Sequence, residues 1–284
     1  MTIEAEVIED SIWLGRRIVS MQVRYPRFIH SELMTHRMFS RNAASSRAIP
    51  FKTQMKATMG DIATFVHWGK NQPGMQANEE LEGWALKFAQ LIWYTTFWLV
   101  LGMSQLMALT GSHKQVINRM LEPWTHITVL VTSTEWDNFF KLRLHETAQP
   151  EIRALAVKME LAIGLSKPVK RKYHLPYITD FERSRSEHTL MVLMLISAAR
   201  CARLSYTTHG SIRKDIQKDI LLASRLQNQE HWSPFEHAAI GIPTPPTVLR
   251  DNQKAWRANF FGWESFRYSL EHGIQDAEKN NGQP

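Results

Sequence analysis

Hydrophobic and polar positions alternate along residues 17–25 as a half-buried strand requires. The segment Arg17-Ile-Val-Ser-Met-Gln-Val-Arg-Tyr25 is rich in β-branched residues, and Pro26 ends the pattern. Helical spacing predicts helices over about 32–39, 79–111, 136–143, 151–162, 190–205 and 212–227. Together these elements predict an α+β fold, in which a helix-rich subunit surrounds a small, mostly antiparallel sheet.

Three local signals mark helix starts in this pattern. Ser31 is a good N-cap for the helix at 32–39, and Thr132-Ser-Thr-Glu135 matches a capping box before the helix at 136–143. Pro150 suits the first turn of the helix at 151–162. The stretch 51–80 carries the turn residues Gly69-Lys-Asn-Gln-Pro-Gly74 and is predicted to be a loop, either a lid or a surface excursion.

One predicted helix is apolar enough to raise the question of a membrane span. Lys87 is the only formal charge between Trp84 and Leu109. Polar residues interrupt the run, however, and its tryptophans lie in the middle rather than in belts at the two ends. We therefore favour a core or subunit-interface helix and expect no membrane partner.

Composition narrows the possible partners. The chain has 284 residues, 44% of them hydrophobic, which is enough for one large domain or two small ones. Lys and Arg total 34 against 27 Asp and Glu, a formal charge of +7, so anions such as nucleotides or nucleic acid are expected partners. The only cysteine, Cys201, excludes an internal disulfide and is read as a small core residue.

Positive charge is concentrated in residues 24–52, where six Arg and Lys residues face one acid, Glu32. On a helix, His36, Arg37 and Ser40 would share a face and converge on one ligand. The next turn, Ser45-Ser-Arg47, offers hydroxyls and a guanidinium suited to a terminal phosphate. The same residues would also suit a solvated basic loop.

Two other kinds of site are weakly supported. His231 and His237 are six residues apart without neighbouring ligands, a poor match to zinc patterns, so no metal is expected. A nucleic-acid-binding protein could use the basic segment and the ten tryptophans. We disfavour it because the basic residues interleave with Ser and Asn rather than with aromatic residues.

The segment Thr35-His-Arg-Met-Phe-Ser-Arg-Asn-Ala-Ala-Ser-Ser-Arg47 resembles the R-H-R-x-x-S-x-N-x-x-S-x-R signature of flavin-dependent thymidylate synthases, with the first Arg replaced. Asn138-Phe-Phe-Lys-Leu-Arg143 with Ala148-Gln-Pro-Glu-Ile-Arg153 is similar to a helix pair of that family. Ser197–Ser205 and His231-Trp-Ser-Pro-Phe-Glu-His237 resemble two further segments. Together these segments span most of the chain.

The order of the segments differs from the usual one, in which the H-x-S/T-P-x-E-H element comes first. Because cyclic order is kept, we expect a circularly permuted, phage-type member of the family. We treat residues 1–284 as a single catalytic domain. Residues 1–163 would carry the signature and the F-x-x-L-R helix, 164–187 a solvated connector, and 188–284 the permuted segment.

The resemblance implies roles for individual residues. Eight residues would form the flavin pocket: His36, Arg37, Asn42, Asn138, Ser205, His231, Ser233 and Glu236. Five would bind a pyrimidine deoxynucleoside monophosphate: Ser45, Ser46 and Arg47 at the phosphate, and Arg119 and Arg143 at the base. Of these, Arg143 and Ser45 would be catalytic. The family forms homotetramers with shared active sites, which would give the aromatic helix after Glu79 a partner.

The implied reaction is methylation of dUMP to dTMP, with FAD as cofactor and methylenetetrahydrofolate and NADPH as co-substrates. Such chemistry needs no cysteine nucleophile, so Cys201 is expected to be dispensable. Residues 1–6 begin acidic and lack the basic start of a secretory signal. We expect a cytoplasmic protein, in the host cytoplasm if the gene is phage-encoded.

Four positions depart from the family pattern and keep the substrate open. Thr35 replaces Arg, Ala43 replaces Glu, Glu32 replaces Gln, and Thr134 stands where an FAD-binding Arg can occur. If Glu32 reached the base, it could accept a hydrogen bond from a cytosine amino group. Methylation of dCMP, hydroxymethylation of dUMP, and a flavoprotein that has lost activity therefore remain alternatives.

Overall fold

A five-stranded sheet organises the chain, with strand order β3-β4-β2-β1-β5. The computed structural model describes residues 2–205, 215–243 and 256–272. The strands are β1 (Glu4–Trp13), β2 (Arg16–Pro26), β3 (Ser40–Ala43), β4 (His126–Ser133) and β5 (Val169–Lys170). All neighbours pair antiparallel except β1 and β5. Leu14 and Gly15 both have positive φ, as a two-residue hairpin turn between β1 and β2 requires.

Helices and two smaller sheets surround this sheet. The helices are α1 (His30–Met34), α2 (Phe51–Gly60), α3 (Gly83–Leu109), α4 (Lys114–Met120), α5 (Asp137–Arg143), α6 (Pro150–Leu165), α7 (Asp180–Ser184), α8 (Leu190–Ala202), α9 (Ile216–Asn228) and α10 (Phe266–His272). The remaining strands are β6 (Tyr173–His174), β7 (Ala239–Gly241), β8 (Trp256–Arg257), β9 (Phe260–Phe261) and β10 (Trp263–Ser265). The predicted α+β class is confirmed.

Alternate side chains of β2 lie on opposite faces of the main sheet. Val19, Met21, Val23 and Tyr25 are buried in one hydrophobic cluster with residues of β4 and α6. The intervening Ser20 is also fully buried, on the face of the sheet that the C-terminal part of the chain covers. The predicted strand is therefore confirmed, but both of its faces are covered.

Helix α3 is confirmed as an element, and of the two predicted alternatives, a core helix or a subunit-interface helix, its exposure excludes the first. Only Phe97, Leu101 and Ser104 are buried along it. Large apolar side chains remain exposed, including Trp98 at 54% and Leu109 at 83%. By length and composition α3 could also cross a membrane, and it is the one helix among the described residues that could.

Two of the predicted helix starts, those of α1 and α5, are wrong. Helix α1 ends at Met34, and Ile29 rather than Ser31 is its N-cap residue. Thr132 and Ser133 belong to β4, so the predicted capping box is absent and α5 begins after Trp136. Pro150 does occupy the first turn of α6. The predicted loop at 51–80 begins with helix α2. Residues 212–214, the start of the helix predicted at 212–227, lie outside the described residues.

The connector at 164–187 is only partly the solvated linker that its basic sequence predicts. Residues 167–170 are exposed, as expected. The following residues form β6 and α7, and His174 is completely buried. Tertiary contacts with β1, β2 and β7 explain the difference, since they supply partners for its backbone and polar side chains.

Candidate active site

Arg143 lies at the centre of a polar corner between α1 and α5. Its Nε donates to Nε2 of His36 at 2.9 Å, and its Nη2 donates to the Thr35 hydroxyl at 3.2 Å. Nη1 lies 3.7 Å from the Glu32 carboxylate. Burial and the adjacent Arg143 guanidinium lower the pKa of His36 to about 4. His36 is therefore neutral at pH 7 and accepts a hydrogen bond at Nε2.

Aromatic packing holds the His36 ring in this corner. The ring lies edge-on to Phe139 with centroids 4.9 Å apart, and Phe39 packs against both rings. Phe139 is on α5, which ends at Arg143, so one short helix supplies both the packing partner and the guanidinium. This arrangement fixes the position of Arg143 relative to the signature segment.

The signature segment does not form the helix that was expected to bring His36, Arg37 and Ser40 together. After α1 the chain turns through residues 35–39, and Ser40–Ala43 pairs with β4. Ser40 is buried in this strand, whereas Arg37 is exposed. The three side chains therefore do not share a helical face.

Two segments distant in sequence lie directly against the signature strand. Asn42 donates from Nδ2 to the carbonyl oxygen of Cys201 at 2.7 Å and accepts from the Ser233 hydroxyl at 3.1 Å. The backbone N–H of Ser45 donates to the Ser205 hydroxyl at 2.8 Å. Residues 42–45, 201–205 and 233 thus lie in contact with one another, and both polar groups of the Asn42 side chain bond within the protein.

The turn at 45–47 presents two of its three predicted phosphate ligands to solvent. Ser45 and Arg47 are exposed, but Ser46 is buried and donates to Glu122 at 2.9 Å. Arg119 lies 3.8 Å from the same carboxylate. The buried Asn118 holds the turn by donating to the carbonyl oxygens of Ser46 and Ile49. No local sequence signal distinguished Asn118 or Glu122, since only the fold brings them to this turn.

Most basic residues of segment 24–47 form ion pairs or hydrogen bonds with other residues of the chain. Arg24 pairs with Asp61, Arg27 lies 3.8 Å from Glu122, and Arg41 donates to the Met34 carbonyl oxygen. The side chains of Arg37 and Arg47 form no hydrogen bond or ion pair with the described residues. Lys52, the remaining basic residue of the predicted cluster, is exposed and also forms no such contact with the described residues, so the free positive charge lies on three side chains.

The remaining predicted cofactor residues lie at the surface with different surroundings. Asn138 and His231 are exposed, and their side chains make no hydrogen bond within the described ranges. Glu236 accepts from Arg267 at 2.6 Å. Arg267 lies on α10, close to the end of the chain and in no recognised motif, so sequence reasoning missed it.

A cavity of about 560 Å³ opens beside the Arg143 corner. Glu32, Arg143 and Glu151 line it, together with residues of the 65–78 loop. Val66 N–H donates to Glu151 at 2.7 Å, and Gln76 donates to the Thr147 carbonyl oxygen at 3.1 Å, so the loop is tied down as a wall. Burial raises the pKa of Glu32, although Arg143 opposes the shift. The cavity therefore combines a fixed cation with carboxyl acceptors.

Cys201 is completely buried, and burial raises its pKa well above the ordinary thiol value. A buried neutral thiol is neither exposed nor ionised at pH 7. It is therefore unsuited to nucleophilic attack, in agreement with its expected role as a core residue.

Residues 18–164 match the family model described as thymidylate synthase complementing protein. No curated protein matches the chain. Among solved structures, the chain is similar to a UMP/dUMP methylase, PolB from Streptomyces cacaoi, bound with 5-Br dUMP. The TM-score is 0.47 at 16% identity, over 57% of this chain and 90% of that chain. The same enzyme with 5-Br UMP gives a TM-score of 0.47 at 17% identity, over 57% and 89%.

Proposed function

Because the chain belongs to the thymidylate synthase complementing protein family and is a methyl-transferring enzyme of the thymidylate synthase type, we propose that it methylates dUMP to dTMP. The one-carbon donor would be methylenetetrahydrofolate, and NADPH would supply the reducing equivalents. The observation that carries the proposal is the placement of Arg143, held by His36, at the cavity beside Glu32.

The cavity beside Arg143 suits a pyrimidine ring in size and polarity. A fixed guanidinium donates to a base carbonyl oxygen, and a carboxylate accepts from a ring N–H or an exocyclic amino group. Negative charge develops on a base carbonyl oxygen when C5 of the pyrimidine reacts. Arg143 would stabilise this charge without reorganisation, because its guanidinium is already held in place by hydrogen bonds to His36 and Thr35. We propose that Ser45 and Arg47 bind the nucleotide phosphate. Arg119 would assist at the base, and Ser46 would hold the turn through Glu122.

The donor set also fits FAD. Arg37, Asn138 and His231 are exposed, and none of the three donates a side-chain hydrogen bond to the described residues, so they can meet a dinucleotide. A bound flavin would supply hydride-transfer chemistry, which no residue near Arg143 can supply. We propose that His36 contributes a neutral ring, and that Asn42, Ser205, Ser233 and Glu236 shape the pocket through the contacts described above.

A second candidate reaction rests on Glu32. Its carboxyl group lines the cavity 3.7 Å from Arg143, where it could accept from the amino group of cytosine. Methylation of dCMP is therefore the alternative within the same class, as is hydroxymethylation of dUMP, which the residues do not distinguish. Arg24, Arg27 and Arg41 have partners within the chain, which leaves few basic side chains to follow a nucleic-acid backbone and favours a nucleotide.

We further propose that the enzyme is a homotetramer assembled through α3, with sites shared between subunits. Most of the helix is apolar and exposed, including Phe88, Leu91, Trp98 and Leu99. A patch of this kind needs a partner surface, and a second α3 would supply one of matching length and polarity. We place the enzyme in the cytoplasm, that of the host if the gene is viral.

We propose that circular permutation accounts for the order of the segments. The family match ends at residue 164, whereas the segments at 197–205 and 231–237 follow it in sequence. Both lie against the signature strand through Asn42 and Ser45. On this proposal residues 1–284 form one catalytic unit, and the connector at 164–187 joins the ancestral chain ends.

Turnover with defined nucleotides tests the proposal. The protein is incubated with FAD, NADPH and methylenetetrahydrofolate and with either dUMP or dCMP, and the products are identified by mass spectrometry. We expect dTMP from dUMP, and loss of turnover in Arg143→Lys but not in Lys141→Ala on the same helix. A product from dCMP alone would select the alternative. Failure of both nucleotides with flavin bound would favour a relative that has lost activity.

A further inference from the structure

A buried polar chain crosses the protein between the first strand and the segment 231–237. It consists of five side chains joined by hydrogen bonds, in the order Ser11, His174, Ser20, Thr132 and His237. Each has no exposed surface. The chain joins β1, β2 and β4 of the main sheet to β6 and to the residue that follows the turn Ser233–Glu236. Five consecutive buried polar groups are costly unless every bond is made, which indicates a defined arrangement.

One end of the polar chain is anchored by a carboxylate. Ser11 Oγ donates to Glu9 at 3.3 Å, and Arg171 and Arg183 lie 3.2 and 2.8 Å from the same carboxylate oxygen. Burial raises the pKa of Glu9, and both guanidiniums oppose the shift. Arg171 and Arg183 can only donate, so the carboxylate oxygen that they share with Ser11 carries no proton and can only accept.

The donor and the acceptor of each hydrogen bond in the middle of the polar chain follow from the number of protons available. The single proton of Ser11 goes to Glu9, so Ser11 Oγ must accept from Nδ1–H of His174, 3.0 Å away. Burial lowers the pKa of His174 well below its ordinary value, so the ring is neutral and its Nε2 carries no proton. Ser20 must then donate to that nitrogen, across 2.8 Å.

The hydrogen bonds between Ser20 and His237 run in the same direction, with the donor on the His237 side of each bond. Because the Ser20 proton points to His174, Thr132 must donate to Ser20 across 2.6 Å, and Nδ1 of His237 must donate to Thr132 across 2.8 Å. Burial lowers the pKa of His237 to about 3, so its ring is neutral as well. Nε2 of His237 is left as a bare acceptor, buried and without a partner among the described residues.

We propose that Glu9 sets the tautomer of His237 through this polar chain, with His174 as the positioning residue that links the sheet to the segment 231–237. The fixed tautomer gives that segment one orientation and leaves its histidine with an acceptor nitrogen for a water or a ligand N–H. This inference does not depend on which nucleotide the enzyme methylates. It rests on the geometry of the five side chains and on Glu9.

Nitrogen-15 NMR of protein with labelled histidine tests the proposal, because the shifts of the two ring nitrogens report the tautomer. His174 and His237 are assigned with single His→Gln variants. We expect both rings to be protonated at Nδ1. In Thr132→Val, which cuts the chain between Ser20 and His237, His174 should keep its tautomer and His237 should lose its preference. In Ser11→Ala, which removes the anchor, both rings should redistribute.

The exposed His231 is the internal control, since its signals should not change in either variant. Circular dichroism establishes that each variant is folded. A wild-type His237 protonated at Nε2 would overturn the proposal, as would a His174 tautomer that changes with His237 in Thr132→Val. If Ser11→Ala does not fold, the wild-type tautomers and Thr132→Val decide the question by themselves.

Discussion

Arg200 and Glu182 form a buried two-pronged ion pair that joins α8 to the connector. Nη2 of Arg200 lies 2.6 Å from Oε1 of Glu182, and Nη1 lies 2.9 Å from Oε2. Nε of the same guanidinium donates to Asp219 on α9 at 3.1 Å. Burial by itself would raise the pKa of Glu182, but hydrogen bonds from Arg200 and Thr179 lower it to about 2. One guanidinium thus holds three elements together.

Removing Arg200 is expected to destabilise the fold strongly. Arg200→Leu leaves two buried carboxylates without their main partner, and loss of one member of a buried pair costs about 3–5 kcal/mol. Urea unfolding measures the change. Arg185→Leu, which breaks an exposed ion pair with Glu187, is the matched control and should cost less than about 1 kcal/mol. Equal effects of the two substitutions would contradict the buried-pair account.

Acid is expected to destabilise the protein as pH falls from 6.5, in part through His126. Burial and the nearby Arg24 lower its pKa to about 4. The unfolded chain therefore takes up a proton near pH 6.5 that the folded chain does not, and stability falls between pH 6.5 and 4. Each such histidine contributes about 1.4 kcal/mol per pH unit.

His126→Leu isolates this contribution. Neither ring nitrogen of His126 has a hydrogen-bond partner among the described residues, so an apolar side chain should cost little at pH 7.5. Urea unfolding between pH 7.5 and 5.5 should show a pH slope smaller by about one proton than in the wild type. An unchanged slope would mean that His126 is protonated in the folded protein.

A charge on α3 is expected to break the assembly. Trp98→Glu places a carboxylate in the exposed apolar face, where a subunit interface would have to bury it. Light scattering after size-exclusion chromatography should show a smaller species than the wild type. Leu221→Glu, at a residue 69% exposed on α9, is the control and should leave the mass unchanged. A wild-type protein that is already monomeric would refute the assembly proposal.

Replacement of the lone thiol should leave turnover intact. Cys201→Ala removes one buried sulfur and, by comparison with other small core truncations, is expected to cost about 1 kcal/mol. Steady-state kinetics should give an unchanged kcat, because the buried thiol takes no part in the reaction. Loss of turnover in a variant with a normal Tm would show instead that the enzyme uses a thiolate nucleophile.

Periodicity predicted the elements that are stabilised locally and failed where distant strands pair. Strand β2 and helices α3, α5, α6 and α8 have regular apolar spacing, and each was found. A helix was predicted over residues 32–39, which would bring His36, Arg37 and Ser40 onto one face, yet Ser40–Ala43 pairs with β4, some ninety residues away. Thr132 was predicted to cap a helix because Thr132–Glu135 matches a capping box, but its hydroxyl belongs to the buried polar chain.

The site was predictable as a set of residues but not as a geometry. The signature named His36 and the F-x-x-L-R helix named Arg143, but neither showed that the two side chains bond to each other. Glu122, Asn118 and Arg267 were assigned no role, because their partners come from distant parts of the chain. Ser45 and Ser46 were both predicted to bind the phosphate, but Ser45 is exposed whereas Ser46 is buried.

A crystal structure with dUMP and FAD bound would locate both molecules relative to Arg143. We expect the pyrimidine ring in the cavity beside Glu32, with a base carbonyl oxygen within hydrogen-bond distance of Arg143. We also expect the nucleotide phosphate at Arg47 and the flavin dinucleotide at Arg37. Ordered nucleotide and flavin bound elsewhere, with the Arg143 guanidinium still facing an empty cavity, would contradict the proposed site.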